Sequence, residues 1–281
     1  MSKDTNVIKL SVFNCDISIS INSPDLVNVF ELVYGAMIVH QAVGSFKLSY
    51  LITLNKSTNE ISIQREGGPQ YITSDIGEFI FLFEKDMTIE LQKLRSDLLF
   101  IHSAVLEYKG RGMLLVAPSG TGKSTTSWAM LNSGFNYLSD ELAPIDLTTR
   151  QVQPYPHALC LKAEPPLFDL PDDCLFTSQT IHVPVRSMSC KPGSQMAPVS
   201  LDFIFFLEYD AEISEPVVSS IGLAQASAKL YSNSLNALAH DNGDKGLHVA
   251  VSLAKTVQNF SLRSNHLDKT CEKIRIMLES C

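Results

Sequence analysis

The sequence predicts an α/β fold in which a strand, a phosphate-binding loop and a helix form the centre of the larger domain, preceded by a small α+β module. Three observations predict it. Met113 to Val116 is a short apolar run that reads as a buried strand, and Ala117-Pro118-Ser119-Gly120-Thr121-Gly122-Lys123-Ser124 follows it directly. Thr125 to Ser133 then reads as a helix closed by Gly134. A pattern match flanked by the right strand and the right helix carries more weight than the pattern alone. The expected division is 1–98 for the module and 99–281 for the domain that holds the loop.

From Val7 to Ile21 apolar residues alternate with polar ones, the period of a half-buried strand or hairpin. Ser23-Pro24-Asp25 is a helix start, and Leu26 to Met37 carries helical spacing at Val27, Phe30, Val33 and Met37. Lys47–Leu54 and Glu60–Arg65 alternate on either side of Asn55-Lys56-Ser57-Thr58-Asn59 and should pair as a hairpin. A helix over Asp75–Leu94 closes the module. Leu99–Tyr108 and Gly112–Ala117 read as two strands joined by a tight turn at Lys109-Gly110. Phe135–Leu138 reads as a strand ending at Ser139-Asp140-Glu141; Cys160-Leu161 and Leu201–Leu207 read as buried strands. Prolines at 154, 156, 165, 166, 171 and 184 mark loops between these strands. The segment from Arg186 to Ala197, with Lys191, Gly193 and Ser194, is long enough to be a lid. Helices are expected over Leu223–His240, Gly246–Gln258 and Leu267–Leu278.

The chemistry of the loop follows from its residue types. Glycine at 120 and 122 lets backbone N–H groups turn inward on phosphate oxygens, and the helix that follows adds its positive end. The loop from Pro118 through Ser119, Gly120, Thr121, Gly122, Lys123, Ser124 and Thr125 would hold the phosphates. Lys123 would reach their terminal oxygens, and the Ser124 hydroxyl would hold Mg²⁺. The first position of the usual pattern is Ala117, which fits if its φ is negative. Without a ligand the same residues would be a glycine-rich turn with a solvated lysine.

Asp140 and Glu141 end the strand after the loop helix, beside the loop, where one acid can bind Mg²⁺ and another can accept a proton. They also fit a plain acidic turn. His102, between Ile101 and Ser103, is either a satisfied core residue or part of the same site. Lys162 and Arg186 are candidate phosphate or substrate contacts, or solvated ends of loops.

Bulk composition narrows the classes. Across 281 residues, 45% hydrophobic and 19% charged residues describe an ordinary globular chain long enough for one large domain or two smaller ones. A formal net charge of −8 without a Lys/Arg run argues against nucleic-acid binding. The six cysteines show no C-x-x-C pair and no metal spacing, as in reduced cytosolic proteins. No membrane-spanning run and no signal-peptide core are seen, so the expected compartment is the cytoplasm and no membrane partner is expected.

Ile101-His102-Ser103-Ala104-Val105, Leu114-Leu115-Val116, the loop through Ser124, and Tyr137-Leu138-Ser139-Asp140-Glu141 together resemble the kinase domain of bacterial HPr kinase/phosphorylase and its diverged relatives. The interval from Lys123 to Asp140 is the most specific part of the likeness, which covers Leu99 to Asp146. The resemblance implies a phosphoenolpyruvate-carboxykinase-like P-loop fold, with Asp140 as general base for a substrate serine, Glu141 assisting with the metal and His102 lining the site. Glu141 stands where the family usually has Asp, and no Arg-Gly-rich signature follows Leu161, so HPr and phosphorolysis are not expected. Length and N-terminal module look closer to the relatives that modify ribosomally made peptides, such as lasso-peptide precursor kinases. The expected activity is therefore ATP- and Mg²⁺-dependent transfer of the γ-phosphoryl group to a hydroxyl, Ser first, of a peptide or small protein. A small-molecule kinase (amino acid or sugar) and a nucleotide-binding regulatory protein without transfer are the alternatives. The family often forms homo-oligomers, though no stretch here marks an interface.

Overall fold

The computed structural model describes residues 5–41, 44–188, 197–236 and 242–280. The chain is mixed α/β, with parallel and antiparallel strand pairs, and it packs into two compact units. One comprises Met1–Arg95 with two later segments, Cys160–Glu164 and Pro171–Ser187; the other comprises Ser96–Leu159, Pro165–Leu170 and Met188–Cys281.

In the first unit β1 (Asn6–Val12) and β2 (Cys15–Ile21) form the expected hairpin, turned by Phe13 and Asn14 at φ of 50° and 61°. Helix α1 (Pro24–Tyr34) crosses to β3 (Phe46–Asn55), which lies parallel to β2. β4 (Glu60–Arg65) and β5 (Gln70–Thr73) complete a five-stranded sheet in chain order. Alternation puts Leu10, Ile17, Ile19, Ile52 and Ile63 on the buried face and leaves Val7, Leu51 and Ile72 exposed. Helix α2 (Ile76–Leu94) begins where the Asp75 carboxylate accepts the Glu78 amide at 2.8 Å. Its buried Phe79, Phe83, Met87 and Leu91 recur at helical spacing, and the Phe83 ring meets Phe30, Tyr34 and Tyr50 edge-on.

In the second unit the expected strand over Leu99–Tyr108 is two strands. β6 (Leu98–Ile101) and β7 (Ser103–Tyr108) part at His102, whose amide donates to the Asn233 carbonyl at 2.8 Å. β8 (Arg111–Val116) leads through the loop into α3 (Lys123–Leu131), and β9 (Asn136–Ser139) returns beside β7. β10 (Ala143–Asp146) pairs with β6. The mid-chain strands β11 (Leu159–Leu161), β12 (Leu175–Phe176) and β13 (Ile181–Val183) make a small sheet in the order β11-β13-β12 which, apart from Leu159, belongs to the first unit.

The main sheet is completed by β14 (Leu201–Tyr209), β15 (Val217–Ser220) and β16 (Gln258–Ser264), in the order β15-β16-β14-β8-β7-β9. β8, β14 and β16 are parallel, so their C-terminal ends share one edge. The run Phe203-Ile204-Phe205-Phe206 is buried on both faces, as a central strand requires. Ile204 and Phe206 join Leu114, Val116, Ala226, Leu230, Val249 and Leu253 in a core beneath α4 (Leu223–Ser232) and α5 (Asn242–Thr256). α6 (Leu267–Ser280) packs against α3.

α4 stops eight residues short of the expected end at His240, and positions 237–240 lie outside the described residues. The lid expected over Arg186–Ala197, including Lys191, also lies mostly outside them. β16 was not anticipated: Asn259-Phe260-Ser261-Leu262 alternates too briefly to stand out between two helices.

Candidate active site

β8 enters the loop at Ala117, which is buried, and the chain leaves it at Lys123. Gly120 and Gly122 lie at φ +86° and +91°. Nothing stands within 4 Å of the space a Cβ would fill at either, so backbone conformation rather than crowding selects glycine there. No side chain caps the N-terminus of α3, and its first helical bond runs from the Thr126 amide to the Gly122 carbonyl at 2.8 Å. The first-turn amides therefore remain available to an anion.

The split of β6 from β7 brings His102 over this helix. Its Nε2 lies 2.8 Å from Lys123 Nζ, and its Nδ1 lies 3.2 Å from the Glu141 carbonyl and 3.3 Å from Glu141 Oε2. Because the ammonium can only donate, Nε2 accepts and Nδ1 carries the proton. Burial, and then the Lys123 charge, hold the imidazole below its ordinary pKa, with Glu141 pulling the other way. Lys123 is 6% exposed and lies 3.8 Å from Glu141 Oε2, so His102 and Glu141 together hold its ammonium.

Asp140 is completely buried, and both of its Oδ atoms lack a hydrogen bond. Its pKa rises to about 6, mainly through burial and then through Glu141; the nearby Ser124 hydroxyl, Lys123 and His157 oppose the rise. The turn that sets both acids is closed by Ser139, whose hydroxyl bonds the Leu142 carbonyl at 2.5 Å. A buried carboxylate with open lone pairs beside a serine hydroxyl is an oxygen-donor set suited to a small hard cation. Among the described residues no cluster of three or more His, Cys, Asp or Glu side chains forms a metal cage. Mg²⁺ does not require one, since it binds through one or two carboxylates and keeps waters and phosphate oxygens.

β14 and β16 deliver their C-terminal ends to a cavity of about 460 Å³ next to the loop. Thr121, Gly122 and Thr125 line it on one side, and Tyr209, Asn265 and His266 on the other. Crevices outside the carboxyl ends of parallel strands are the usual ligand positions in open α/β sheets.

The second unit thus gathers His102, Lys123, Ser124, Asp140 and Glu141. Lys162 and Arg186 belong to the first unit, where Arg186 is ion-paired with Asp173 at 3.0 Å. Sequence reasoning missed His157, buried and tilted against the Tyr155 ring with centres 4.8 Å apart, since nothing in its spacing sets it apart. It also missed Tyr209, at the end of β14, and Asn265 and His266, which required β16 to be recognised.

No family model matches the chain, and no curated protein matches it. Among solved structures it is similar to the HPr(Ser) kinase/phosphatase from Coxiella burnetii, at 11% identity and a TM-score of 0.34, covering 65% of this chain and 99% of that one. At that identity and TM-score the likeness has no bearing on what the site does.

Proposed function

We propose that the protein is an ATP- and Mg²⁺-dependent kinase that transfers the γ-phosphoryl group to a hydroxyl, Ser first, on a peptide or small protein. The observation that carries this reading is Asp140: a buried carboxylate with no hydrogen bond, set next to Ser124 at the first turn of a helix entered through two positive-φ glycines. In a fold without a ligand role, such a group would cost about 1–3 kcal/mol with nothing in return.

The loop amides and the first turn of α3 bind the phosphates, and the cavity beside Tyr209 and Asn265 takes the rest of the nucleotide. Lys123 exchanges His102 for a phosphate oxygen. Ser124 and the acidic pair hold the metal, whose chemistry when bound is to neutralise charge on the transferring group. Asp140 accepts the proton of the incoming hydroxyl. Since Asp140 is sealed from solvent, the loop must shift before that hydroxyl reaches it. Positioning and charge stabilisation supply most of the rate.

The peptide acceptor is supported by the family resemblance of Ile101–Glu141. Incubation with ATP and Ser-containing peptides, read by mass spectrometry as phosphate gain, tests the reading. Lys123→Ala should abolish the gain while leaving the melting transition in place. Turnover by that variant would refute the assignment.

A further inference from the structure

A second nucleophile is built into the first unit. Cys160 on β11 and His182 on the neighbouring β13 face each other across the strands, with Cys160 Sγ 3.4 Å from His182 Nδ1. The other ring nitrogen, Nε2, lies 2.9 Å from Thr180 Oγ1. When the thiol donates to Nδ1, the ring proton lies on Nε2 and Thr180 Oγ1 accepts it, the tautomer in which His182 can take the thiol proton. Thr180 is itself fixed, because its amide and carbonyl both bond the Thr177 hydroxyl, at 3.0 and 2.8 Å. His182 is 4% exposed and so cannot turn away, while Cys160 keeps partial access to solvent. A thiol, a base and a group that orients the base is the arrangement that activates a sulfur nucleophile.

The other described thiols lack it. Burial pushes Cys15, Cys174 and Cys271 up to about 11, with Asp16, Asp173 and Asp268 adding to the rise. From the helix side Cys160 acts on the Tyr34 phenol of α1, which is held protonated by burial first, then by Glu84 and then by Cys160.

We propose that Cys160 is a modification site, a His182-activated thiol that reacts with small hydroperoxides to give a sulfenic acid. The sulfur attacks one peroxide oxygen, forming an S–O bond as the O–O bond breaks. Sulfur is oxidised and the peroxide is reduced to alcohol, or to water from hydrogen peroxide. The thiol proton passes to His182 Nδ1 and on to the leaving oxygen. A sulfur only partly open to solvent favours small electrophiles of this kind over bulky acyl donors. The inference does not depend on the kinase reading, since none of these residues belongs to the phosphate site.

The test treats the full chain at pH 7 with hydrogen peroxide in the presence of dimedone and maps the adducts by mass spectrometry. Cys160 should be labelled roughly tenfold faster or more than Cys174, which is likewise half-buried. His182→Gln, with an unchanged melting transition, should bring Cys160 down to the Cys174 rate. Equal labelling of Cys160 and Cys174 in the unmodified protein would overturn the proposal, as would a folded His182→Gln variant that reacts at the original rate. Should that variant not fold, the comparison of the two cysteines in the natural sequence decides alone.

Discussion

Asp140 is where the fold gives up stability. Its carboxyl is neutral below its ordinary pKa near 3.8 in either state, so burial costs nothing from its charge there. As pH rises from about 4 to about 6 the unfolded chain ionises first, and the folded state is penalised by an amount that then stays constant. Asp140→Asn removes that penalty, so in metal-free buffer at pH 7 the variant should be more stable, on the order of 1–3 kcal/mol. The difference should vanish near pH 4. The same variant should lose phosphoryl transfer by roughly 10²–10⁴-fold. Calorimetric melts at both pH values check the first part, and a variant no more stable than the parent would remove the case for an unsatisfied carboxylate. That Asp140, Glu141, Lys123 and Ser124 lie together was legible from the loop pattern and from the strand expected to end beside it. The partners of His102 were not, because the break between Ile101 and Ser103 is made by pairings with β10 and β9 far along the chain.

Among the elements, the loop and α2 lend themselves to direct tests. Gly122→Ala meets no neighbouring atom yet must hold φ +91°, so it should lower stability by about 1 kcal/mol through backbone strain. It should also weaken the stabilisation by MgATP in a thermal shift. A variant as stable and as responsive as the parent would mean the turn is not held as described. On α2, Asp86 is 5% exposed and accepts from Tyr50 at 2.8 Å and Arg65 Nε at 2.7 Å. Asp86→Ala leaves Arg65 with Glu90 at 3.1 Å, and should cost roughly 2–4 kcal/mol, read by urea unfolding. Long periodic elements such as α2 were legible from sequence. Short strands were not: β10, β12, β13 and β15 carry two to four residues each, and pairing rather than pattern makes them strands.

For the whole molecule, the first unit is discontinuous in sequence. The sequence puts one boundary at residue 98, whereas in the structure Cys160–Glu164 and Pro171–Ser187 pack with Met1–Arg95. Within that unit Ser178 bonds Asp75 at 2.9 Å, and a Cβ on Gly77 would meet Thr177 Oγ1 at 2.9 Å. Nothing local marks such segments, since their partners lie some hundred positions earlier. An excised fragment over 96–281 should therefore be cut by trypsin or chymotrypsin between residues 160 and 187 at least tenfold faster than the full chain, a rough estimate from lost local protection. Equal protection would show that these segments hold their structure without 1–95. Above all of this stands the phosphate cradle, and calorimetric titration of the full chain with MgATP probes it most directly. One nucleotide should bind per chain, and Lys123→Ala should weaken binding by roughly 10–100-fold, the loss of one charge-assisted contact. No binding by the natural sequence, or equal binding by the two proteins, would contradict the placement of a nucleotide on this loop.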